Sequence, residues 1–319
     1  MVKPIFVVSL PRAGSTLLQR LLMGHPQIGT CGEPWLALPI AYLLRENGVI
    51  TEYGARSAGC SIRQFASELP GGVDEFWKQS AAYLSGLYAS KAPDGVELFV
   101  DKTPRYYKIL PELRQMFPEA PIVLLVRNPL AVFASMLNFV KGDLRYMPMW
   151  KNDWMDGHCK IAEALSTFPN FSLVRYEALV STPNESMKAL MGELGLEFDE
   201  QQVEGLSGQR LGRGDPTGVN LYKSVDTAPL TSWKQSIDTP TKKRMAMRWL
   251  RVLPESVCAM MGYSKLELIE ELSAHRPAIG VAPIDCLRLF VGTVYFSGGL
   301  HILKRVLTRQ DGGCRPFYN

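Results

Sequence analysis

The segment Ser9-Leu-Pro-Arg-Ala-Gly-Ser-Thr16 has the residue types that hold a phosphate. Glycine lets a loop turn in tightly, and free N–H groups at a helix start bind an anion with help from the helix dipole. The segment departs from the G-x-x-x-x-G-K-[ST] pattern of ATP-binding loops at two positions. Ser9 stands where the first glycine belongs, and Ser15 where the lysine belongs. The cation offered instead is Arg12, inside the loop. On these residues alone an ordinary strand-to-helix turn, capped by Ser15 or Thr16, stays open as the simpler reading. The six cysteines include no Cys-x-x-Cys pair, and none is grouped with histidine at zinc-like spacing, so no metal is expected. Free thiols in a reducing, cytoplasmic setting are expected.

A loop of this kind works only if a strand delivers it and a helix leaves it. Ile5 to Leu10 is a short apolar run rich in β-branched residues, and Leu17, Leu18, Leu21 and Leu22 follow at helical spacing over Ser15 to Met23. Further strands are expected at Glu97–Val100, Pro121–Val126 and Phe171–Val174. Helices are expected at Arg105–Phe117, Leu130–Phe139 and Pro183–Leu194. Continuous apolar strands alternating with helices indicate a parallel sheet covered on both faces. The expected fold is therefore α/β, a P-loop NTPase-like three-layer α/β/α arrangement with a central parallel sheet. Residues 35 to 95 add a helical, aromatic-rich insert, and 205 to 228 look like an irregular loop.

Pro11-Arg-Ala-Gly-Ser-Thr-Leu-Leu18 resembles the 5′-phosphosulfate loop of sulfotransferases, and His25-Pro26 and Cys31-Gly-Glu33 continue the likeness. The similarity is to the branch that includes protein-tyrosine sulfotransferases and many bacterial enzymes. Four more elements follow in order: Lys102 in Asp101-Lys-Thr-Pro104; Arg127 with Ser135 eight residues on; Arg175-Tyr176-Glu177-Ala-Leu; and Leu230-Thr231-Ser232-Trp233. The resemblance covers roughly residues 4 to 265. It implies 3′-phosphoadenosine 5′-phosphosulfate (PAPS) as co-substrate, without a metal. The loop residues Arg12, Ala13, Gly14, Ser15 and Thr16 would hold the 5′ end, and Arg127 and Ser135 the 3′-phosphate. Tyr176 and Ser232 join the nucleotide site. Thr231 departs from the branch, which has serine there, but keeps a hydroxyl.

Sulfonyl transfer by in-line displacement needs positioning, charge stabilisation on the leaving phosphate and removal of a proton from the acceptor. The resemblance assigns the catalytic work to Glu33 as general base and to Arg12, Lys102 and Thr231 at the leaving group. Plainer alternatives stay open: Glu33 as a helix-capping or surface carboxylate, since Pro34 after it can open a helix; Lys102 as a surface partner of Asp101 or Glu97; and Arg127 as a surface arginine. The histidine base of the small-molecule branch has no match; His25, His158, His275 and His301 are read as structural. Trp35, Tyr42, Phe65, Trp77, Tyr83 and Tyr88, with Phe139, Tyr146, Trp150 and Trp154, would wall an apolar acceptor pocket or fill the core.

The 319 residues are 46% hydrophobic and 21% charged, with a formal net charge of +4 and no basic runs. That is a globular composition and argues against nucleic acid as a partner. No segment approaches a membrane span. The organisation expected is a sulfotransferase domain at 1–275 and an amphipathic C-terminal extension at 276–319. In the extension, Leu287, Phe290, Val291 and Val294 fall at helical spacing ahead of Lys304, Arg305 and Arg309. It would lie on a membrane surface, or dock on the main domain or on a second subunit of a homodimer. The acceptor would be a hydroxyl or amine of a small molecule, lipid or glycan. The competing readings are a P-loop phosphotransferase, which would need magnesium, and a nucleotide-binding module without catalysis.

Overall fold

The structure, a computed structural model, describes residues 2–46, 48–49, 51–168, 170–205, 211, 225–278, 280 and 282–296. Most of the expected irregular loop at 205–228 lies outside the described residues, as do His301, Lys304, Arg305, Arg309 and Cys314. The strands are β1 (Lys3–Ser9), β2 (Ile28–Thr30), β3 (Leu98–Lys102), β4 (Ile122–Val126) and β5 (Phe171–Arg175). They form one parallel sheet in the order β2-β3-β1-β4-β5. β2 is absent from the sequence reading, because a three-residue Ile-Gly-Thr strand carries no period.

The centre of the sheet explains its apolar runs. On β1, Phe6 and Val8 enter one core cluster and Ile5 and Val7 the other, all fully buried. On β4, Ile122, Leu124 and Val126 face the first cluster, Val123 and Leu125 the second. Side chains alternate across a pleat, so a strand covered on both faces must be apolar at every position. Helices α1 (Ser15–Met23), α8 (Tyr176–Ser181) and α9 (Pro183–Glu193) cover the second face. On the first lie α4 (Gly72–Lys91), α5 (Leu110–Met116), α6 (Pro129–Phe139) and α7 (Met147–Thr167). This is the expected three-layer α/β/α fold. α2 (Ala37–Tyr42), α3 (Ala55–Ser67) and α4 make up the helical insert.

After α10 (Gln201–Glu204) come a 3-10 turn at Ala228–Leu230, α11 (Trp233–Ser236), α12 (Pro240–Val252), α13 (Glu255–Met260), α14 (Lys265–Ala274) and α15 (Pro283–Phe296). α15 packs against α7 and α12. Among the described residues no helix is long and apolar enough to cross a membrane.

Local chemistry sets several boundaries. Asn128 caps α6: its Oδ1 accepts from the N–H of Leu130 at 2.8 Å, and Pro129 opens the helix. The expected helix at 105–117 is a 3-10 helix over Pro104–Ile109 before α5 begins. Pro111 explains the break, because it removes an N–H and opens a new helix. α1 has no side-chain cap. Gly14 holds its N-cap position at φ 102°, and Ser15 is already helical, which corrects the expected Ser15 or Thr16 cap.

Candidate active site

In a parallel sheet all strands end at one edge, and ligands bind in the crevice outside that edge. The register places Lys102 opposite Val7, two residues before the end of β1. Arg127 follows Val126, which pairs with Arg175, and Tyr176 opens α8. The segments that sequence reading singled out therefore converge because the strands share a direction.

The loop after β1 is wound tightly. Arg12 takes φ 72° and Gly14 φ 102°, both in the left-handed region. A Cβ at Gly14 would lie 2.4 Å from the Tyr176 ring, so only glycine lets the helix start sit against that tyrosine. Arg12 Nε donates to Ser135 Oγ at 3.4 Å, and its guanidinium lies 5.2 Å from the Phe139 ring centre. Arg127 is 8% exposed and binds the loop from the other side. Its Nη1 donates to the Arg12 carbonyl (3.3 Å), its Nη2 to the Pro229 carbonyl (3.0 Å), and its guanidinium stacks 4.2 Å over Tyr176. Its Nε is buried with no hydrogen-bond partner among the described residues. Arg12, Gly14, Arg127, Ser135 and Tyr176 thus form one cluster around the loop.

Lys102 and Glu33 form the second group. Lys102 Nζ donates to Glu33 Oε1 at 2.8 Å, with the lysine side chain 1% exposed. The plainer reading of Lys102 as a surface residue is thereby overturned, and that of Arg127 likewise. Glu33 precedes α2 by several residues and belongs to no helix. Gln19, on α1, positions its segment: Nε2 donates to Thr30 Oγ1 and to the Cys31 carbonyl, both at 2.7 Å. Thr30 Oγ1 in turn donates to the Val100 carbonyl at 2.7 Å. Trp35, at φ 59°, donates its indole N–H to Glu33 Oε2 at 3.2 Å and its backbone N–H to Thr103 Oγ1 at 3.3 Å. One helix therefore connects the phosphate loop at its start to the carboxylate segment beside it.

Asp101, next to Lys102, is fully buried. It accepts from Tyr88 OH (2.6 Å), Tyr106 OH (2.8 Å) and Thr103 Oγ1 (2.9 Å). Burial pushes its carboxyl up to about 6, against those three hydrogen bonds and the Lys102 charge, which pull it down. It fixes the end of β3 rather than facing the crevice.

Thr231 and Ser232 are placed less closely. Thr231 is exposed, and its described hydrogen bonds are backbone ones within the turn, as are those of Ser232 apart from the Ser236 hydroxyl on its carbonyl. The contact that ties this turn to the cluster comes from the Pro229 carbonyl, a group with no side-chain signal in the sequence. The aromatic residues divide. Trp77, Tyr88, Trp150 and Trp154 are buried and take the core alternative of the two expected for them, and Phe65 and Tyr83 are more than 60% exposed. Trp35 and Tyr42 do line a cavity of about 530 Å³, together with Leu38, Tyr53, Arg105 and Lys108. Arg105 is held there by Asp153, with Nη2 to Oδ2 at 2.6 Å. His158 is buried in α7 beside the Trp154 carbonyl, and burial takes its imidazole down to about 4.

A parallel α/β sheet with a tight glycine turn between β1 and α1, buried cations and a lysine-paired carboxylate at its carboxyl edge defines a P-loop-like α/β protein. The chain belongs to the sulfotransferase family, whose profile matches residues 4–200. It is 27% identical over 270 residues to nodulation protein NoeE of Sinorhizobium fredii, covering 73% of this chain but only 60% of NoeE. It is 24% identical over 255 residues to protein-tyrosine sulfotransferase 1 of Danio rerio, covering 76% of this chain and 69% of that protein. Its fold matches the sulfotransferase domain from the curacin biosynthetic pathway with a TM-score of 0.51 at 22% identity, over 80% of this chain and 99% of that domain.

Proposed function

We propose that the chain transfers a sulfonyl group from PAPS to a hydroxyl or amine of a small-molecule, lipid or glycan acceptor by in-line displacement. The observation that carries this reading is the Lys102–Glu33 pair beside the phosphate loop. It joins a cation suited to a leaving phosphate with a carboxylate suited to take a proton.

The residues present fit such a donor. Among the described residues Arg127 keeps a buried Nε without a hydrogen-bond partner, and the Gly14 turn leaves N–H groups at a helix start. When bound, PAPS supplies an activated sulfonyl group whose leaving group is a nucleotide phosphate. Arg12, Lys102 and the N–H groups of Gly14 to Thr16 hold the 5′ end and take up charge there, with Ala13 in the turn itself, its N–H on the Leu10 carbonyl. Arg127 and Ser135 hold the 3′-phosphate, and Tyr176 and Ser232 contribute to the nucleotide site. Thr231 offers a hydroxyl to the leaving group. Glu33 takes the acceptor's proton, a role worth about 10²–10⁴-fold in rate.

The cavity behind Trp35 supports an acceptor with an apolar body, since Trp35, Leu38 and Tyr42 face it and the Trp35 indole reaches Glu33. Residues 1–275 are proposed as the catalytic unit and 276–319 as an extension. The described cysteines are unpaired, which supports a cytoplasmic setting. Incubation with ³⁵S-labelled PAPS and a panel of phenols, sugars and amines, without magnesium, tests the proposal. Label on an acceptor, lost in Glu33→Gln, is expected. Magnesium-dependent transfer of phosphate from ATP, without sulfonyl transfer, would overturn it.

A further inference from the structure

α15 is apolar on more sides than its neighbours can bury. One face is fixed inward. Asp285 accepts from Thr239 Oγ1 at 2.7 Å, and Gly292 packs so closely that a Cβ there would lie 2.1 Å from the Arg145 carbonyl oxygen. Leu287, Phe290 and Val291 stand outward at 57%, 67% and 43% exposure. Between α15, α12 and α7 runs a groove of about 640 Å³ with Met245 and Trp249 in its floor and Phe290 and Val252 at its rim. Lys151, Arg244 and Arg248 open onto the same groove. All three are exposed, and none forms an ion pair among the described residues. Two acids of this region are engaged elsewhere: Asp143 with Arg145 and Arg288, and Asp238 with Lys242.

We infer that this face docks on an anionic lipid bilayer, with α15 lying in the interface plane. Large apolar side chains beside uncompensated cations match the two layers of a membrane surface, acyl chains below and phosphate headgroups above. A second copy is a poorer occupant, because a two-fold contact through this face would set its three cations against their own copies. The fourteen residues described for α15 are fewer than a membrane span needs, and the inference lays them along the surface. The docking face is firmly joined to the proposed donor site. The Trp249 ring meets Phe133 of α6 at 5.1 Å, and α6 carries Ser135. The inference does not depend on the sulfonyl-transfer reading.

The test is flotation of the full chain with vesicles of phosphatidylcholine alone and of phosphatidylcholine with phosphatidylglycerol, at low salt. Binding to the anionic vesicles is expected, roughly tenfold or more weaker on neutral ones. Leu287→Glu with Phe290→Glu, and separately Arg244→Glu with Arg248→Glu, should each weaken it about as much. These side chains are exposed, so the thermal midpoint and nucleotide binding should stay at wild-type values in both double variants. Three outcomes overturn the inference. The wild type fails to float with anionic vesicles, or both double variants float like the wild type. Alternatively, sedimentation shows a dimer that the Leu287/Phe290 variant dissociates while no vesicle binding occurs.

Discussion

The ammonium of Lys102 and the carboxylate of Glu33 meet at 2.8 Å although they come from strand β3 and from the segment after β2, 69 residues apart. The lysine is almost wholly out of water, and among the described residues Glu33 is its ion-pair partner. Without a substrate, the proposed base and the proposed leaving-group cation therefore hold each other in place.

Glu33→Gln keeps the shape and one acceptor oxygen but cannot take a proton. It should lower kcat by about 10²–10⁴-fold and leave nucleotide affinity within a few-fold of wild type. Glu33→Ala strands the buried ammonium and should also cost about 1–3 kcal/mol of stability, less than the about 3–5 kcal/mol of breaking a fully buried pair because Glu33 is partly exposed. Urea unfolding and steady-state kinetics of the two variants check this. Equal kinetics in wild type and Glu33→Gln would remove Glu33 from the chemistry.

Arg127 grips two carbonyls with two separate nitrogens, which a lysine cannot copy. Both Arg127→Ala and Arg127→Lys should weaken binding of 3′-phosphoadenosine 5′-phosphate by about 100-fold, the scale of losing a charge-assisted contact to phosphate. Binding of adenosine 5′-phosphosulfate, which lacks the 3′-phosphate, should change far less. Equal losses for the two nucleotides would place Arg127 elsewhere.

Gly14→Ala meets two obstacles, φ 102° and the Tyr176 ring. Stability should fall by about 1–3 kcal/mol from backbone strain alone, and more with the clash. Adding Tyr176→Ala removes the clash but not the strain, so the double variant should recover only part of the loss. Full recovery of the melting temperature would show that φ is not the constraint.

Two buried groups give opposing pH slopes. Asp101 has a folded value of about 6, above the ordinary 3.8. Between those values the native state holds a proton that the unfolded chain has released, so Asp101's share of stability falls as pH rises through that window. His158 has a folded value of about 4, below the ordinary 6.5. There the unfolded chain takes the proton first, and stability falls as pH drops from about 6.5 towards 4. Relative to wild type, Asp101→Asn should gain stability as pH rises from about 4 to 6, and His158→Gln should gain as pH falls over the same range. Urea titrations at several pH values check both slopes. Differences that stay level with pH would contradict them.

The fold and the loop cluster were legible because buried parallel strands must be apolar throughout, which marks β1 and β4 and therefore the residues that follow them. Glu33 was legible only through resemblance. Its placement depends on Gln19, on Thr30 and on a left-handed Trp35, none of which has a local pattern. The aromatics stayed undivided between pocket wall and core for a simpler reason. On α4, Trp77, Leu84 and Tyr88 recur at helical spacing and are buried, whereas Tyr83 falls off that stripe and is exposed. Sorting them by face would have separated core from surface. The Pro229 carbonyl, a backbone group, left no mark in the sequence.

Calorimetric titration of the wild-type chain with 3′-phosphoadenosine 5′-phosphate in the absence of magnesium tests the donor site most directly, since it needs no knowledge of the acceptor. Micromolar or tighter binding, unchanged on adding magnesium and lost in Arg127→Ala, is the predicted result. Binding of ATP only with magnesium, and none of the 3′-phosphorylated nucleotide, would contradict it.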